Sequence, residues 1–72
     1  MTPKQFKGIR NKLEMTQVEF AAELAVSRRA IQMWEAGDSE IPRTVAYASY
    51  WVLFKQTAGY KKVAALFRQW QK

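Results

Sequence analysis

Four side chains on one short segment carry the recognition chemistry this chain has to offer: Arg28, Arg29, Gln32 and Met33. A guanidinium fork presents two parallel donors that match O6 and N7 of guanine. A glutamine amide matches N6 and N7 of adenine, and an apolar tip packs on the methyl group of thymine. The chemistry indicated is the reading of base edges. Bond-making chemistry has little to draw on. The 72 residues contain no cysteine and no histidine, which removes the usual zinc ligand sets and the Ser–His and Cys–His nucleophile pairs. Only carboxylates and lysines remain to an enzyme, so no catalysis, metal or cofactor is expected.

Those four residues need a helix to present them on one face. Ser27 is a good N-cap, Ile31 and Trp34 share an apolar face at i, i+3, and Gly37 suits a left-handed stop. Arg28, Arg29, Gln32 and Met33 fall outside that apolar face. Gln32 follows the two arginines at i+4 and i+3 and so shares their side of the helix. Two cations in the first turn oppose the helix dipole, which favours a functional reason for keeping them.

A second helix must brace the first. Thr16 and Glu19 are spaced as a capping box, and Met15 is placed to staple onto Phe20. The sequence predicts a helix over 17–24 with Phe20, Ala21 and Leu24 buried, followed by the turn Ala25-Val26-Ser27. Thr2, Pro3 and Gln5 form a helix start, and Phe6, Ile9 and Leu13 continue it as a helix of about 3–13. Thr44 is the expected cap of a fourth helix over 45–56. Its run from Tyr47 to Phe54 is apolar on more than one face, which predicts packing on two sides. Thr57-Ala58-Gly59 breaks the chain before a fifth helix over 60–71, striped by Tyr60, Val63, Phe67 and Trp70. No strand pattern occurs. The expected fold is all-α, five short helices in a single domain over 1–72.

Charge gives the class of partner. Twelve Lys and Arg face six Asp and Glu, a net +6, with a pI near 10.0. The signs are segregated. Residues 1–13 hold Lys4, Lys7, Arg10 and Lys12 and no acid, residues 14–26 hold Glu14, Glu19 and Glu23 and no base, and residues 43–72 hold no acid. Such a distribution points to a directional anion-binding face. No apolar run is long enough to span a bilayer, and the first residues lack a signal-peptide pattern. The expected location is the cytoplasm, on the nucleoid.

Residues 4–55, and 16–37 most closely, resemble the lambda-repressor-like helix-turn-helix family, also called the Cro/CI or XRE type. Thr16-Gln17 opens the second helix as in that family. Ala21 is the small residue at the helix contact, and Phe20, Leu24, Val26, Ile31 and Trp34 stand at its apolar positions. Glu35-Ala36-Gly37 ends the recognition helix, and Pro42 follows in the loop. Arg10 and Glu35 match two positions that the family tends to pair. There are two departures: Ala25 stands where the family has Gly in the turn, and the loop after Gly37 is the acidic Asp38-Ser39-Glu40.

The resemblance implies roles. Arg28, Arg29, Gln32 and Met33 would contact bases. Gln17 would bind a phosphate and brace the recognition helix, and Lys7 and Arg43 resemble backbone or minor-groove contacts. Ser27 and Lys4 join them as phosphate candidates by position and sign. Trp34 is read as core. The remaining aromatic surface, Tyr50 and Phe54 with Val63, Phe67 and Trp70, is read as a homodimer interface. The fifth helix is also basic enough to suggest a membrane surface, but packing on a symmetry mate is the simpler account. The expected function is a small dimeric repressor of its own operon on an inverted-repeat (palindromic) operator, like the autorepressors that accompany anti-CRISPR genes in phages and mobile elements. The alternative is an antitoxin that neutralises a partner toxin by direct contact.

Overall fold

The computed structural model describes residues 1–56, together with 65, 68 and 69. Among them lie four helices and no strand: α1 (Pro3–Lys12), α2 (Gln17–Leu24), α3 (Arg28–Ala36) and α4 (Arg43–Lys55). The fifth helix expected over 60–71 falls largely outside the described residues, and Val63, Phe67 and Trp70 with it.

Side-chain caps start the first three helices. Thr2 and Thr16 each form a complete capping box, with Gln5 and Glu19 reaching back to the cap backbone. Ser27 Oγ accepts the Ala30 amide at 3.1 Å. The three stops share one geometry. The amides of Met15, Val26 and Asp38 donate to the carbonyls of Arg10, Ala21 and Met33, five residues back in each case. Those of Glu14, Ala25 and Gly37 donate to Asn11, Ala22 and Trp34. This double closure requires a left-handed residue, and Glu14 and Ala25 (φ 57° each) and Gly37 (φ 79°) supply it. The sequence singled out Ala25 and Gly37 but gave no sign of Glu14.

The start of α4 differs from expectation. Thr44 does not cap it. The helix begins at Arg43, with Pro42 in extended geometry at the cap position and no side-chain cap bond. Pro42 fixes the backbone angle there, its carbonyl receives the Ala46 amide, and the preceding Ile41 is drawn into the core. Burial of Ile41 thus sets where the helix starts, and Thr44 is left inside the first turn.

Phe6, Phe20 and Ile31 are fully buried at the centre. The Phe6 ring lies 5.2 Å from Phe20 and meets Trp34 edge-on at 5.8 Å. Those separations are favourable for aromatic pairs. Trp34 is core, as expected. α3 packs on α1 and α2, and α4 packs on the same two helices. α4 turns small residues inward, Ala46 and Ser49 beside Val52. Ser49 is wholly buried and donates to the Ala46 carbonyl at 2.7 Å, which satisfies its hydroxyl within its own helix. Among the described residues one face of α4 is buried, and Tyr47 and Tyr50 stand exposed on another; the second packing side expected for this helix lies outside the described residues. No helix among the described residues is long and apolar enough to cross a membrane.

Candidate nucleic-acid interface

The outward side of α3 carries Arg28, Arg29, Gln32 and Met33, all exposed. Ile31 and Trp34 anchor the opposite side in the core. The helix therefore presents one polar face built from its first two turns. The Ser27 cap satisfies the Ala30 amide in the first turn, where the two arginines sit.

A single carboxylate fixes α3 relative to its neighbours. Glu35, next to last in α3, accepts from Arg10 Nε at 2.6 Å and Arg10 Nη2 at 3.0 Å. It also accepts from Gln17 Nε2 at 3.3 Å. Arg10 Nη1 donates onward to the Met15 carbonyl at 3.0 Å. One acid thereby joins α1, the α1–α2 connection and the start of α2 to α3. The pair is well shielded, with 14% of the Arg10 side chain and 7% of the Glu35 side chain exposed. Burial alone would push the Glu35 carboxyl up. The hydrogen bonds from Arg10 and Gln17, with the charges of Arg10 and Lys7, outweigh it and hold the group below its ordinary value. The same bond to Glu35 chiefly raises Arg10. Arg10 is thus engaged inside the fold.

Lys7 is exposed on α1 and close enough to Glu35 to act on its charge. Gln17 is half-buried at the first position of α2, and Ser27 is exposed at the cap of α3. Lys7 and Gln17 thus both act on Glu35, one from α1 and one from the start of α2. Lys4 is exposed on α1. Arg43 is placed elsewhere, on the rim of a groove at the start of α4 lined also by Met1, Glu40, Ile41 and Tyr47. Sequence reasoning did not assemble that groove, because its walls come from the first residue, the α3–α4 loop and α4. The surplus of aromatics in α4 was its one signal.

The sequence profile described as helix-turn-helix matches residues 6–48, more than half of the chain. The chain belongs to the lambda-repressor-like helix-turn-helix family. It is a DNA-binding regulator, and the matched span runs from Phe6 inside α1 through α2 and α3 into the first part of α4. No curated protein and no solved structure matches the chain. An α-helix of this size fits the major groove with its N-terminal residues at the base edges, and the exposed face of α3 has those dimensions and that polarity.

Proposed function

We propose that this regulator is a repressor that binds an inverted-repeat operator as a homodimer and controls its own operon by occluding the promoter. The supporting observation is the exposed quartet Arg28, Arg29, Gln32 and Met33 on a helix held at its far end by Glu35. Arg28 and Arg29 read guanine, Gln32 reads adenine and Met33 touches a thymine methyl. Gln17, Ser27, Lys7 and Lys4 take phosphates around them. Two copies related by a two-fold axis set their recognition helices about 34 Å apart in successive major grooves. Tyr50 and Phe54 belong to the self-association face in this reading, and Val63, Phe67 and Trp70 extend it beyond the described residues.

A footprint on the DNA immediately upstream of the gene tests the reading. The expected result is two protected half-sites about one helical turn apart, related by inversion. Absence of any sequence-specific protection there would overturn it. The exposed Tyr47 and Tyr50 also suit an antitoxin docking on a toxin. That reading requires a chain that is monomeric at micromolar concentration and aggregates without a co-expressed partner.

A further inference from the structure

We propose that the groove at the start of α4 is the seat of a second copy of this chain. Tyr47 of each protomer enters the groove of the other, and Glu40 of each meets the partner's Arg43. The proposal rests on the dimeric reading above and goes beyond it by assigning the surface through which the two-fold axis passes.

The groove has a volume near 500 Å³. Its lining is mixed: Ile41 and Ala46 are buried and Met1 half-buried, while Glu40, Pro42, Arg43 and the two tyrosines are exposed. Tyr47 is 64% exposed and Tyr50 51%. Large amphipathic rings beside a hollow of mixed polarity are common anchors of a protein interface. Arg43, Tyr47 and Tyr50 stand at i, i+4 and i+7, so they line one stripe of α4.

Charge identifies the occupant. Glu40 and Arg43 sit on the same rim with opposite signs. Among the described residues the ion pairs are Arg10–Glu35 and Lys55–Glu23, so neither rim charge is engaged. A two-fold interface must be self-complementary, with residue i on residue j and j on i. A rim that carries one acid and one base meets that condition twice over. With one acid against one base, the rim has no net positive charge to draw nucleic acid or an anionic bilayer. The assignment takes Arg43 away from the minor groove and gives it to the partner's carboxylate.

Sedimentation of the free protein, without DNA, tests this. Glu40→Arg and Arg43→Glu should each weaken self-association at least about tenfold, because each sets like charges against one another at both ends of the interface. The combined variant E40R/R43E should recover it, since the pair is re-formed in the opposite sense. Tyr47→Ala should also weaken association at least about tenfold, as loss of an anchor does. All three positions are exposed, and circular dichroism will report that the variants keep the helical fold. A wild-type dimer that none of the single variants weakens overturns the groove assignment and leaves the dimeric reading intact. Weakening by the single variants without rescue in the double variant overturns the reciprocal pairing. A monomeric wild type overturns both the assignment and the dimer.

Discussion

Glu35 and Arg10, 25 residues apart in sequence, meet as a two-pronged ion pair at 2.6 and 3.0 Å. Removing one partner strands the other in a shielded site, which costs more than removing both. Arg10→Met should lower unfolding free energy by on the order of 3 kcal/mol. The double variant R10M/E35L should recover most of that loss. Urea unfolding of the two single variants and the double variant gives the coupling directly. Additive losses would mean that the pair does not act as a unit.

The same carboxylate makes stability fall in acid. Glu35 lies below its ordinary value of 4.5 when folded, so the unfolded chain binds the proton first. Its contribution is complete above the ordinary carboxylate range and disappears as pH falls toward the lowered folded value. Glu19 acts in the same direction, because the Thr16 amide and hydroxyl bond to its charged form. Thermal melts between about pH 7 and 3 should show the decline. Glu35→Gln should flatten it. An equally steep curve in that variant would place the acid sensitivity elsewhere.

The left-handed stops predict opposite effects of glycine. An L side chain in that region costs about 1–2 kcal/mol, and glycine returns about 0.4–1 kcal/mol of that through the freer unfolded chain. Ala25→Gly and Glu14→Gly should each stabilise by about 0.5–1 kcal/mol. Gly37→Ala should destabilise by about 1 kcal/mol. A Cβ at Gly37 would meet Pro3 Cγ at 3.7 Å, an ordinary contact, so the loss would come from the backbone. Denaturant midpoints measure all three.

On DNA, Arg28→Ala and Arg29→Ala should each lose specific affinity by about 1–3 kcal/mol while circular dichroism is unchanged. Lys7→Ala should weaken binding to all sequences alike and reduce the salt dependence by about one unit of slope. Titrations of the operator and of a scrambled duplex over a range of salt distinguish the two behaviours. A Lys7 variant that changed sequence preference would contradict its role on the backbone.

The second ion pair should matter little. Lys55 Nζ and Glu23 Oε2 are 2.8 Å apart, but their side chains are 32% and 36% exposed. Solvent screens such a pair, so Lys55→Ala should change stability by no more than about 0.5 kcal/mol. Chemical unfolding provides the check. A larger loss would show that this contact holds α4 onto α2.

Local chemistry was readable from the sequence wherever a cap or a stripe specified it. Thr2, Thr16 and Ser27 mark three helix starts, and Ile31 and Trp34 fix the buried side of α3. Long-range effects were less legible. The cap at Thr44 failed because burial of Ile41 outweighs a local hydroxyl bond. Glu14 adopts a left-handed angle that no turn residue announces, since the closure of α1 needs a residue there whatever its type. Arg10 and Glu35 could be paired only through the family resemblance, because nothing local joins positions so far apart. The groove at α4, assembled from three separate segments, left only the surplus of aromatics in that helix as a trace in the sequence.

The matching stops of α1, α2 and α3 bear on how readily this regulator can change its target. Two of the three are closed by residues other than glycine, and each holds stability that one substitution would release. Neither position lies on the exposed face of α3. A lineage that first acquired glycine at 14 or 25 could then tolerate a costly new side chain at 28, 29, 32 or 33 without unfolding. The strain in the turns is therefore latent capacity for exchanging the residues on the exposed face of α3.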